Sequence, residues 1–181
     1  MKSSPSTSLY TLGRGIITLG PWVGTAPPEI ADMNDVGNVV DFSVEVTESL
    51  LEHFSRRTGL KTKDKVVILE TGYTASFTLD EVSAANLALY VKGTLEGNVI
   101  HAATATLAEY ALTFQSDNPD GEGENQKWEL WRCNISPDGA AALLGDDWLQ
   151  LKFKATGLAD AANHSESPLF DVTVITTTTS A

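Results

Sequence analysis

The most restrictive feature of the chain is a two-residue alternation over 38–47. Val40, Phe42, Val44 and Val46 take turns with Asp41, Ser43, Glu45 and Thr47. That period sends the apolar set to one face of a strand and the polar set to the other. The same stretch runs on as SRRTGLKTKDK, then KVVILE and TASFTL. The first reads as a basic, charged loop near 48–65, the other two as a hairpin of strands. ESLLEHFS, between alternation and loop, is compatible both with a helical stripe of Leu50, Leu51 and Phe54 and with a strand fraying into the loop. A helix near 80–92 closes the unit. Thr78 or Asp80 is placed to cap it, Gly93 stands where a C-terminal glycine belongs, and Leu87, Tyr90 and Val91 form its packing stripe.

The remainder is mostly strand-like. Residues 1–8 are rich in Ser, Thr and Pro and read as a flexible arm. Ile16, Ile17 and Leu19 make a short strand. Pro21, Pro27 and Pro28 break the stretch after it, and Trp22 between them reads as a packing anchor. The segment 99–116 is assigned to strand, although Leu107, Tyr110, Ala111 and Phe114 also fit a helix. Residues 117–125 hold four acids and two glycines and must be an exposed loop. Further strands come at KWELWRCNI, at DWLQLKFKATG and at LFDVTVI. The second of these should turn Trp148, Leu149, Leu151 and Phe153 inward and Gln150, Lys152 and Lys154 outward. TTTTSA, 177–181 with its preceding threonine, should fray. Many strands and one helix argue a mainly β fold. We expect an antiparallel β-sandwich or partial barrel with one flanking α-helix, as a single domain over 9–176.

At 181 residues the chain can bury a substantial core, and its 42% hydrophobic and 20% charged residues are those of a globular protein. A net charge of −12 argues against a protein that grips phosphate backbones, which needs clustered Lys and Arg. Yet Arg56, Arg57, Lys61, Lys63 and Lys65, five of the twelve basic residues, crowd one segment. Such a segment is either a solvated loop or a contact for an acidic partner, and another copy of this acidic chain would qualify. One cysteine, Cys133, excludes an internal disulfide framework. No secretory signal and no membrane span are expected. His53, His101 and His164 are scattered, no phosphate-binding glycine loop or nucleophile elbow is present, and adjacent Asp146 and Asp147 make a poor acid–base pair. No catalytic residue, cofactor or metal site is therefore expected.

Several stretches, in this order and spacing, carry a family likeness: YTLGRGIITL, GNVVDFSVEVTESLLEHFSRRTGLK, TASFTLDEVSAANLALYVKG, FQSDNPDG, NISPDGAAALLGDDWLQLKFKATGLAD and PLFDVTVI. Together they resemble the major tail tube protein of long, flexible-tailed bacteriophages. The resemblance implies a non-catalytic structural virion protein, assembled in the host cytoplasm. Six copies form a ring, and rings stack into a hollow tube that houses the tape-measure protein and later conducts DNA during ejection. Tail terminator and distal tail proteins would be partners at its ends. Contractile-phage and type VI secretion tubes share this plan.

Within that expectation, Asp41, Ser43, Glu45 and Thr47, joined by Glu109, are candidates to line the lumen, where an acidic wall would let DNA slide. Arg56, Arg57, Lys61, Lys63 and Lys65 are candidates for contact between rings. The strands at 38–47 and 99–116 would leave edges that a ring could pair. Two other readings stand beside it: a non-catalytic β-sandwich binding module for carbohydrate or capsid decoration, and a bacterial type VI-like secretion tube protein.

Overall fold

The computed structural model describes residues 13–57, 59–104, 108–118 and 125–175. The expected N-terminal arm 1–8, the C-terminal 177–181 and most of the acidic loop 117–125 lie outside them. The described strands are β1 (Gly15–Pro21), β2 (Asn34–Asp35), β3 (Val39–Ser55), β4 (Thr62–Leu79), β5 (Thr94–Glu96), β6 (Val99–His101), β7 (Glu109–Ser116), β8 (Asn125–Pro137), β9 (Leu151–Gly157) and β10 (Phe170–Ile175). One helix, α1 (Ala84–Tyr90), and a short 3-10 turn at Ile30–Asp32 complete the set. The fold is thus mainly antiparallel β with one short helix, as the alternation requires.

The main sheet runs β2-β1-β7-β8-β9-β4-β3, all neighbours antiparallel. It forks at β8. Residues 125–130 pair with β10 and residues 133–137 pair with β9, both on the edge opposite β7. Between the two arms β8 carries a register shift against β7, which puts both Leu130 and Cys133 inside although they lie an odd three positions apart. The sheet curls until Phe42 of β3 stacks on Phe114 of β7, with ring centroids 4.8 Å apart. Inside the curl lie Ile17, Leu19, Tyr73, Ala75, Phe77, Leu79, Leu112, Leu130, Leu151 and Phe153. This is a partial barrel, and it is not closed. A cleft of about 690 Å³ separates Gly13–Ile16 from Asn38–Val44.

Several expectations are corrected. The charged loop near 48–65 is not a loop: β3 continues to Ser55 and β4 starts at Thr62. KVVILE and TASFTL are not two strands of a hairpin but parts of the single strand β4. The segment 99–116 is not one strand. Val99–His101 belongs to the small β5–β6 sheet, and β7 begins only at Glu109. Leu151 and Phe153 do face inward with Lys152 and Lys154 outward, but Trp148 precedes β9 and is almost wholly exposed.

The helix is shorter than 80–92. Asp80 and Glu81 are used elsewhere: the Asn38 side chain donates to Asp80 (2.6 Å) and the Asn38 amide to Glu81 (3.1 Å). Ser83 is the true cap, accepting from the Asn86 amide at 3.1 Å. At the far end Gly93 N–H donates to Ala88 C=O and Lys92 N–H to Leu89 C=O. That double closure places Lys92, not Gly93, in the left-handed position, with φ of 49°. Leu87 and Tyr90 pack on the core, and the Tyr90 hydroxyl donates to Gly139 C=O. Val91 is the C-cap rather than a packing residue. Asn86, unforeseen, is buried and donates to the carbonyls of Val36 and Glu81.

Candidate assembly surface

β3 and β4 pair along almost their whole length, from Val39↔Leu79 to Ser55↔Thr62. Their environment changes half-way. From Gly72 onward β4 alternates between half-buried and buried, as a strand over a core should; from Thr62 to Thr71 every residue is exposed. β9 accompanies β4 only between Thr74 and Leu79. The outer half of the hairpin therefore projects past the body as a two-stranded ribbon. Among the described residues neither its β3 edge nor its β4 edge up to Tyr73 has a strand partner.

The ribbon is also apolar on both sides. Leu50 pairs with Ile68 and Leu51 with Val67. Adjacent residues in a strand point to opposite faces. Yet Leu50, Leu51, Ile68 and Leu69 each leave half or more of their surface in water. A lone two-stranded ribbon is marginal in water, and free edges with apolar faces invite strand pairing.

The polar candidates Asp41, Ser43, Glu45 and Thr47 share one exposed face, as their alternation requires. The sheet extends that face in rows: Asp41–Thr78–Lys152, Ser43–Ser76–Lys154 and Glu45–Thr74–Thr156. Side chains in one cross-strand row stand on the same side. These three rows are thus lined with hydroxyls, and their two carboxylates are matched by two lysines. The face is less acidic than the wall expected, because the pairing of β4 with β9, over 70 residues apart in the chain, sets Lys152 in the row of Asp41 and Lys154 in the row of Ser43.

Glu109 falls on the same face, in the row that runs on from Glu45–Thr74–Thr156 to Asn134 and Glu109, but it is not a free acid there. Its carboxylate accepts from Arg132 Nε at 2.6 Å, and both side chains are partly buried. That bond pushes the Arg132 pKa further up, and the guanidinium lies 5.5 Å from the Trp22 ring centroid. Trp22 is therefore anchored on its own domain. Nor is β7 a free edge, since β1 and β8 flank it.

The basic candidates divide. Arg56 and Arg57 stand at the hairpin tip and Lys61 beside it, with Nζ 4.3 Å from the Phe54 ring centroid. Lys63 and Lys65 lie within β4, and Lys63 is paired with Glu52. The histidines each meet one carboxylate: His53 with Asp64 at 2.6 Å, His101 with Glu96 at 3.7 Å and His164 with Asp160 at 2.8 Å. Among the described residues no three metal-ligating side chains gather in one place. No helix among them is long and apolar enough to cross a membrane.

A family model described as protein of unknown function UCP028589 matches residues 10–99 and 94–169. The chain belongs to that family. No curated protein matches it. Among solved structures it is similar to a chain of an extracellular contractile injection system, the PVC sheath–tube complex in its extended state, determined by cryo-EM. The identity is 12%, the match covers 95% of this chain and 100% of that one, and the TM-score is 0.45.

Proposed function

We propose that this member of the UCP028589 family is a structural, non-catalytic subunit of a phage tail tube. Six copies close a ring and rings stack into a hollow tube within the virion. The tube holds a tape-measure protein during assembly and passes DNA during ejection, with terminator and distal proteins at its ends. Support comes first from the resemblance carried along the chain to the major tail tube protein of long, flexible-tailed phages. The observation that carries the reading is the projecting half of the β3–β4 hairpin, with two unpaired edges and apolar residues on both faces. Pairing one copy's β3 edge with its neighbour's β4 edge would continue the sheet from copy to copy, and closing it into a barrel removes every edge. The same closure gives the hydroxyl-lined face of Asp41, Ser43, Glu45 and Thr47 an interior to line.

Negative-stain electron microscopy of the purified protein tests this. Rings of uniform diameter, alone or stacked, are expected. A sample that stays monomeric at the highest attainable concentration, also with a preformed ring added as initiator, overturns the reading.

A further inference from the structure

Two patches on this chain carry the same anomaly with opposite charge. The first is the β3–β4 tip, residues 55–61, which bears Arg56, Arg57 and Lys61 and no acid. At its apex Leu60 is 77% exposed. The second is the segment 138–150, between β8 and β9. It bears Asp138, Asp146 and Asp147 and no base. Its Leu143, Leu144 and Trp148 are 80%, 97% and 89% exposed. Single exposed apolar side chains are ordinary; three large ones in a single loop are not. Trp is also the residue type that most often anchors an interface. Among the described residues, none of Arg56, Arg57, Asp138, Asp146 and Asp147 has an ion-pair partner.

The topology keeps these patches apart. Asp138 N–H donates to Lys152 C=O, and Leu151, where the segment returns, pairs with Leu79. The acidic segment therefore sits at the C-terminal end of β4, and the basic tip at its N-terminal end. Eighteen residues of strand separate the two ends by roughly 55 Å at the usual rise. Within one copy they cannot touch.

We propose that the tip of one copy docks on the 138–150 segment of a second copy, Leu60 meeting the exposed Leu143, Leu144 and Trp148 while Arg56, Arg57 and Lys61 face Asp138, Asp146 and Asp147. This rests on the assembly reading above and assigns the contact that would join one ring to the next. Two unlike patches at opposite ends make a heterologous contact, which propagates as an open stack instead of closing on itself. Opposite charges on the two patches would set its polarity, since tip against tip and loop against loop both repel.

Disulfide trapping reads the contact directly, because a bridge needs Cα atoms within about 7 Å. Cys133 is buried and adds no background. Leu60→Cys and Leu144→Cys are purified separately, then oxidised alone and as an equal mixture under assembly conditions. The mixture is expected to give a cross-linked dimer on a non-reducing gel that neither variant gives alone. Both substitutions in one chain should give a ladder. In parallel, Asp146→Lys with Asp147→Lys should leave single rings and abolish stacks, and adding Arg56→Asp with Arg57→Asp should restore them. Circular dichroism checks that each variant is folded. Stacks that form without the cross-link, or that survive the unrescued charge reversal, overturn the tip-to-loop contact and leave ring assembly standing. Absence of any ring from the unmodified protein overturns the assembly reading itself.

Discussion

The interior of the curl is decided by a few close fits. The Tyr73 ring lies edge-on to Phe170, with centroids 5.4 Å apart, and its hydroxyl donates to Arg132 C=O at 3.0 Å. Its third neighbour is the bare Cα of Gly157, where any Cβ would overlap the ring. Tyr73 is buried and held on three sides, so it cannot move aside. Gly157→Ala is therefore expected to cost about 1–3 kcal/mol, seen as a lowered urea midpoint with an unchanged slope. Cys133 is nearby and fully buried, its Sγ donating to Tyr110 C=O at 3.3 Å. Burial pushes its thiol from 9.0 up to about 12, and pushes the Tyr73 and Tyr110 hydroxyls up from 10.0. That inertness has two consequences. A thiol-reactive dye should leave the folded protein unlabelled at pH 8 and label it fully in denaturant. The pH dependence has a definite sign. Below 9.0 both folded and unfolded chains keep the Cys133 proton, and its contribution to stability is intact. Above 9.0 the unfolded chain releases the proton while the folded chain holds it to about 12. Stability should then fall by about 1.4 kcal/mol per pH unit from this group. In Cys133→Ala the decline should begin nearer 10, where the two tyrosines start to contribute. Urea unfolding at intervals from pH 8 to 11 measures both onsets.

At the level of elements, the β3–β4 ribbon can be followed by amide hydrogen exchange. In the isolated chain the amides of 47–55 and 62–71 that point away from the β3–β4 ladder should exchange fast, because water is their only partner. In assembled protein they should become protected, and protection limited to the ladder amides would show that neither edge is used. The same ribbon marks where the sequence stops being readable. Over 40–47 one strand face lies on the core, so the pattern alternates and the strand is legible, as is the exposed set Asp41, Ser43, Glu45 and Thr47. Over 62–71 neither face lies on a core within the chain. With no inside or outside the alternation vanishes, lysines stand next to valines, and a continuous strand reads as loop plus hairpin. The helix start is misplaced in sequence for a different reason. Asp80 and Glu81 look like capping acids but are spent on Asn38, some 40 residues earlier. Glu109 looks like an unpaired acid because its partner, Arg132, lies on the next strand. Trp148 sits one step before a clean alternation and borrows its pattern, although the strand starts at Leu151. In each case the local spacing is real, and a pairing with a remote residue, or the lack of one, decides the outcome.

At the scale of the whole molecule the proposed tube asks what the polar face would do with copies around it. Within a copy, Asp41 and Glu45 are offset by Lys152 and Lys154, with Ser43, Thr74, Ser76, Thr78 and Thr156 between them. A face of that kind offers phosphates little net attraction and little repulsion. The chain's charge of −12 must then be carried largely on other surfaces. If this face lines a channel that conducts DNA, its near neutrality is what allows sliding, and tipping the balance should be felt at once. Asp41→Lys with Glu45→Lys leaves four lysines per copy on the face and removes its two acids that have no ion pair among the described residues, Glu109 being held by Arg132. Their side chains stand on the exposed face, away from the core, so rings and tubes should form with unchanged diameter. Each added lysine that meets a phosphate should raise the salt slope of DNA binding by about 0.9. Virions built from the variant should therefore eject DNA more slowly at low ionic strength and recover as salt is raised. Slow ejection that salt does not relieve would point to altered packing in place of charge. Ejection at the normal rate across all salt concentrations would mean that DNA never meets this face.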